Sequence, residues 1–232
     1  MDVSWALLAG AVTGAAGGLV APRVIAALPE PADPDDARDK ISYRQLADVP
    51  GLPAALAVAG AATCALLAWM LGWSAALPLW LYVGVMGVAL AYVDWRTRLL
   101  PTRLIAPSYG IVAVLAVLAS VLSDDWGSLL RAAAGWLVAG GLFFLLWAIY
   151  PKGMGYGDVR LSGVLGIALG WLGWPELIVG VYAGFMLGAL CGGVLALMHV
   201  VDRKRYPFGP FMLVGAVVGV LVGPALSAWY LG

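Results

Sequence analysis

The chain has 232 residues, 63% of them hydrophobic and 11% charged, with a mean hydropathy of +0.95. Soluble globular domains carry about 45–50% apolar and about 25% charged residues, so a soluble fold is excluded. Thirteen basic and thirteen acidic residues cancel to a formal charge of zero; the position of each charge is therefore what informs, and no nucleic-acid partner is expected.

A helix that crosses a bilayer needs about 20 predominantly apolar residues. Eight stretches fit, near residues 3–28, 52–71, 75–93, 104–122, 129–148, 159–171, 177–200 and 211–231. None shows the strict alternation of a barrel wall. The expected fold class is all-α, a polytopic membrane protein of about eight spans, with residues 1–232 forming one integral-membrane domain. The first run opens on Asp2 rather than a basic cluster and is long, so it reads as a retained span rather than a cleaved signal. Pro107 and Pro224 lie inside spans, where membrane helices tolerate them. Cys64 and Cys191 lie in apolar runs at no metal-ligand spacing.

Orientation follows from the basic residues. Arg23, Arg38, Lys40 and Arg44 fall in or beside the first connection, and Arg96, Arg98 and Arg103 in the third. Lys152 and Arg160 border the fifth, and Arg203, Lys204 and Arg205 lie in the seventh. Only Arg131 falls on the other side. The excess of positive charge on cytoplasmic loops then puts these connections in the cytoplasm and both termini outside it. The first connection, 29–50, is the one long polar stretch. Glu30, Asp33, Asp35, Asp36, Asp39 and Asp48 outnumber its bases there. It reads as a solvated linker, or as an acidic face for a basic partner segment.

In this topology Asp94 ends the third span and Asp158 begins the sixth, both at the cytoplasmic edge. Each has an ordinary explanation. Asp94 is a helix-end acid within reach of the headgroups, and Asp158 is an N-cap favoured by the helix dipole. Together they suggest chemistry. Two carboxylates held close cannot both ionise freely, so one serves as acid and the other as base, activating a water against a peptide carbonyl. Lys152-Gly153-Met154-Gly155-Tyr156-Gly157 precedes Asp158, and its alternating glycines would admit a backbone close to that acid. Lys152 and Arg160 flank the motif, either anchoring at the headgroups or tuning the charge of Asp158. His199 is the only histidine and cannot by itself make a zinc site.

These residues resemble a family. Gly155-Tyr156-Gly157-Asp158 fits the GxGD signature of intramembrane aspartyl proteases. The longer string Lys152–Leu161 is similar to the matching segment of bacterial type IV prepilin peptidases. Asp94 with Leu99-Leu100-Pro101 resembles that family's first aspartate motif. Tyr206-Pro207-Phe208-Gly209-Pro210-Phe211 resembles its PFGP motif, and Ile41-Ser42-Tyr43-Arg44 its ISxR stretch. The four motifs stand in family order.

The resemblance implies that Asp94 and Asp158 are the catalytic pair of an aspartic endopeptidase. Gly153, Gly155, Gly157, Lys152, Pro207, Phe208, Gly209 and Pro210 would then support the active site or the substrate. It further implies cleavage of the basic leader from type IV prepilins or pseudopilins, after a glycine, at the cytoplasmic face of the bacterial inner membrane. Many members also methylate the new N-terminus with S-adenosylmethionine. This chain lacks the paired CxxC motifs of the long form's cytoplasmic domain. No zinc is expected, cleavage needs no cofactor, and S-adenosylmethionine enters only with a retained methyltransferase activity. Other readings are an ion- or proton-coupled transporter using the two acids, and a noncatalytic pilus assembly subunit. The first would place its acids nearer mid-membrane and show repeat symmetry, neither of which is visible here.

Overall fold

The computed structural model describes residues 3–30, 41–197 and 207–231. Asp33, Asp35, Asp36, Arg38, Asp39 and Lys40 of the acidic connection lie outside the described residues, as do His199, Arg203, Lys204, Arg205 and Tyr206. Among the described residues there are nine helices and no strand. They are α1 (Val3–Ala26), α2 (Tyr43–Ala47), α3 (Leu52–Leu71), α4 (Leu77–Thr97), α5 (Thr102–Ser123), α6 (Trp126–Ile149), α7 (Tyr156–Leu172), α8 (Trp174–Leu197) and α9 (Gly209–Leu231).

Eight long helices stand where eight spans are expected, but seven of them are long and apolar enough to cross a membrane. The exception is α7, with 17 residues. At about 1.5 Å per residue it reaches about 25 Å, short of the roughly 30 Å hydrocarbon core. Its surroundings make up the difference. Twelve of its 17 residues are buried among the other helices, so it meets protein more than lipid. The other enclosed helix is α4, with 61% of its apolar window buried against 22–39% for the other six candidate spans. These two central helices carry the two aspartates.

Three tight helix pairs, one of them including α7, are each closed by glycines at four-residue spacing. Between lipid-like surfaces there is little hydrophobic drive, so close backbone packing supplies the attraction. In α1 and α3, a Cβ on Gly10 would lie 2.5 Å from the Cys64 carbonyl oxygen, and one on Gly14 would strike the Gly60 backbone. In α6 and α7, a Cβ on Gly166 would lie 2.5 Å from the Gly135 carbonyl oxygen. In α8 and α9, a Cβ on Gly215 would lie 2.6 Å from that of Gly180. The central core joins Trp80, Val83 and Leu90 of α4 to Leu161, Val164 and Leu169 of α7, with Met212 and Ala216 of α9.

The described end of the first connection is not merely a linker. Ser42 caps α2 by accepting the Gln45 N–H at its hydroxyl, and the Ser42 N–H donates in turn to Gln45 Oε1 at 3.2 Å. Tyr43 and Leu46 are buried in a cluster with Ile25, Leu56 and Val93. The Tyr43 N–H donates to Glu30 Oε1 at 2.8 Å, and the Tyr92 hydroxyl donates to the Leu46 carbonyl at 3.0 Å. The ISxR-like stretch thus folds against α4 next to Asp94.

Candidate active site

Asp94 sits in the last turn of α4, which runs on past it to Thr97. Arg98 closes the helix in the left-handed region (φ 57°), its N–H donating to the Asp94 carbonyl at 2.7 Å. The chain then needs only Leu99, Leu100 and Pro101 before α5 begins. Pro101 is extended and occupies the cap position, as a residue with a fixed φ and no N–H readily does. This short link holds Leu100 against Gly157 and Gly209.

Asp158 is not an N-cap. The cap position belongs to Gly155, and Asp158 is the third residue of α7. From there its carboxylate reaches back to accept the Gly155 N–H at 3.1 Å, the half of a capping box that a glycine cap leaves available. Its charge also suits the positive end of the helix.

The third element is the start of α9. The Gly209 N–H donates to Asp94 Oδ2 at 2.9 Å, joining residues 115 apart in sequence. A Cβ on Gly209 would stand 2.8 Å from that same oxygen and 3.2 Å from Leu100. On the other side, a Cβ on Gly157 would stand 2.7 Å from the Leu100 Cβ. The glycines before Asp158 and beside Asp94 therefore close on one leucine. Asp94 and Asp158 are 4% and 7% exposed, and they are near enough for the charge of Asp94 to act on Asp158.

The remaining expected site residues divide into two groups. Pro207 is buried and Phe208 half-buried. The Phe208 ring packs 5.5 Å from Phe185 and 6.1 Å from Phe143. Pro210 stands in the first turn of α9, where a missing N–H costs nothing. Lys152 and Gly153 belong to the exposed turn between α6 and α7, and Gly155 is exposed at the head of α7. Lys152 forms no salt bridge with either aspartate among the described residues, whose ion pair is Arg131 with Asp125 at 3.7 Å. Arg160 likewise does not pair with Asp158. Helix positions two apart face different directions, so tuning of that acid by direct contact is excluded. Among the described residues no three His, Cys, Asp or Glu side chains come together as a metal-binding group.

Deeper along α7, starting one turn beyond Asp158, lies a narrow apolar cleft with room for about 20 Å³, lined by neither acid. Phe143, Ser162, Gly166, Gly180, Gly184 and Met212 line it. Ser162 is one turn beyond Asp158 on α7, and Met212 about one turn beyond Gly209 on α9. The sequence did not reveal that Leu100 packs against both Gly157 and Gly209, although it lies in the Leu99-Leu100-Pro101 motif. Nor did it find Tyr92 or Thr102, which carry no motif.

Fold and site together define a multi-pass helical membrane protein with two buried carboxylates gathered at one end of its central helix pair. Residues 79–197, just over half the chain and including both acids, match the type IV leader peptidase family. The chain belongs to that family. Over 149 residues it is 33% identical to a prepilin leader peptidase/N-methyltransferase of Aeromonas hydrophila, covering 62% of this chain and 49% of that protein. A protein of the same name from Stutzerimonas stutzeri is 31% identical over 172 residues, 71% of this chain and 56% of its own length. One from Bacillus subtilis is 29% identical over 145 residues, 62% of this chain and 55% of its own. The chain spans about half the length of the curated relatives it matches. No solved structure matches it.

Proposed function

We propose that this protein is a membrane aspartic endopeptidase that removes the basic leader from type IV prepilins or pseudopilins, cutting after a glycine. The observation that carries the reading is two buried carboxylates, Asp94 and Asp158, each accepting a glycine N–H, with Leu100 packed against both Gly157 and Gly209. Relatives named prepilin leader peptidases support the substrate class.

In the proposed reaction one carboxylate takes a proton from a water whose oxygen attacks the scissile carbonyl carbon. The other, protonated, carboxyl group gives its proton to the carbonyl oxygen. The resulting tetrahedral gem-diol collapses as the first carboxyl gives the water's proton to the leaving nitrogen and the second carboxylate takes a proton from a hydroxyl, giving a leader with a new C-terminal carboxyl group and a pilin with a free amine. Proton inventory belongs to the pair rather than to either residue. The exposed Gly155 keeps the approach to Asp158 low, while Gly157 lets Leu100 pack against the head of α7. The site faces the cytoplasm in the inner membrane with both termini outside, a placement supported by Arg96, Arg98, Arg103, Lys152 and Arg160 flanking the acids.

The test is mass spectrometry of a prepilin-like peptide incubated with wild-type protein, Asp94→Asn and Asp158→Asn, with and without S-adenosylmethionine. Cleavage after the leader glycine by wild type alone supports the reading, and cleavage by either folded Asn variant refutes it. A methyl mass on the new N-terminus that depends on S-adenosylmethionine would add the second activity. Proton- or ion-coupled flux in proteoliposomes without cleavage would move the assignment to a transporter.

A further inference from the structure

Arg160 is a cation two residues beyond Asp158 that the proposed chemistry does not use. Its guanidinium lies 4.6 Å from the centroid of the Tyr156 ring and hydrogen-bonds Thr102 Oγ1 at the start of α5. Its carbonyl accepts from the Tyr109 hydroxyl of α5 at 2.6 Å. Tyr156 is in turn backed by Trp147 of α6, ring centroids 4.9 Å apart. Thr102 follows directly on Leu100-Pro101, the link that rests against Gly157 and Gly209. The first turn of α7 thus touches segment 100–102 twice, through Gly157 before Asp158 and through Arg160 after it.

We propose that Arg160 is a positioning residue that locks the first turn of α7 to segment 100–102 and so sets the separation of the two carboxylates. The inference rests on the aspartyl reading above. It differs from headgroup anchoring, the ordinary fate of a basic residue at a helix end, because its partners are protein groups on α5 and α7. A cation over an aromatic face is attractive in its own right. A displacement of about 1 Å in reacting groups can cost on the order of 100-fold in rate.

The experiment measures kcat, KM and the pH profile of kcat/KM for wild type, Arg160→Met, Arg160→Lys, Thr102→Val and the Arg160→Met/Thr102→Val double variant. Each is assayed in neutral detergent and in vesicles containing anionic phospholipid. Arg160→Met is expected to lower kcat about tenfold or more with KM nearly unchanged. The two limbs of its pH profile should move relative to each other, since they report the coupled pair. Lys at 160 restores most of the rate, because it can still donate to Thr102 and sit over Tyr156. Thr102→Val gives a smaller loss that does not add to that of Arg160→Met.

A folded Arg160→Met protein with wild-type kcat and pH limbs overturns the proposal. So does a loss seen only in anionic vesicles, or full additivity with Thr102→Val. Should Arg160→Met fail to fold, Thr102→Val carries the test by the same pH readout, and an unshifted profile overturns it. Activity in Asp94→Asn or Asp158→Asn sinks the aspartyl reading itself. Dead Asn variants beside a normal Arg160→Met sink the clamp alone.

Discussion

Gly209→Ala adds one methyl at the point where α9 meets Asp94. The backbone at 209 is not in the left-handed region, so alanine is conformationally allowed and the cost is steric. The new Cβ would stand 2.8 Å from Asp94 Oδ2, where a carbon and an oxygen need roughly 3.3 Å, so a shift of about half an ångström follows. The neighbours have little room to yield, since Asp94 is 4% exposed and the same Cβ would also press on Leu100 at 3.2 Å. Moving α9 back by that amount stretches the 2.9 Å Gly209–Asp94 bond beyond useful range. A hydrogen bond to a charged group is worth about 1.5–3 kcal/mol, which sets the expected loss of stability. Rate suffers separately, because the acid loses its fixed direction, and a fall of about 10- to 100-fold in kcat is expected. Steady-state cleavage in detergent and thermal denaturation of the same preparation measure both. Wild-type kcat together with an unchanged melting temperature would refute the idea that Gly209 holds Asp94.

Other perturbations test the frame around the site. Gly14→Val places a branched side chain against the Gly60 backbone and should destabilise the α1–α3 pair by about 1–3 kcal/mol, read from thermal denaturation. If melting is unchanged, the glycine contact does not hold that pair. Asp125 caps α6 at the far end, and hydrogen bonds from the Ser128 hydroxyl and N–H hold its carboxyl below the ordinary carboxylate range. A lowered folded-state pKa gives stability that is fully present above the ordinary carboxylate value and lost as pH falls through the lowered one. Asp125→Ala should therefore melt earlier than wild type at neutral pH, with the two converging under acid; a constant difference across that range would contradict it. Tyr92→Phe removes the donor to the Leu46 carbonyl, so the first connection should be cut faster by added protease while the melting of the bundle stays close to wild type. Equal cutting rates would show that the bond does not hold α2.

The sequence located all eight long helices and both acids, because hydropathy and a glycine-flanked charge are local signals. Its errors were also local in origin. Hydropathy falls at Asp94-Trp95-Arg96, which sets the expected end of the third span at 93, yet α4 continues until Arg98 turns left-handed. The expected sixth span starts at 159 with Asp158 as its cap, whereas Tyr156 and Gly157 precede Asp158 in the first turn of α7. The five-residue α2 went unforeseen, although Ser42 and Gln45 carry the spacing of a capping box and Tyr43 and Leu46 that of one buried face. What no periodicity could supply was the meeting of Gly209 with Asp94, or of Arg160 with Thr102, since these depend on how whole helices are arranged. Arg160 is the instructive case. Its two-residue offset from Asp158 already argued against direct contact, even where its charge invited that idea.

The site's position also explains why so much glycine is placed far from the acids. A buried carboxylate needs walls that do not move. Hydrogen bonds such as Tyr82 with Ser108, Tyr109 to Arg160 and Trp171 to Ser120 tie α4 and α7 to α5, while close packing holds α7 on α6 and α9 on α8. Gly166 against Gly135 seats α7 on α6, and Gly215 against Gly180 seats α9 on α8. Those interfaces fix where the first turns of α7 and α9 lie, and those turns supply the Gly155 and Gly209 N–H groups to the two acids. Widening either interface by one methyl should thus misplace an acid several turns away. The distant glycines act on the chemistry through the rigid helices between.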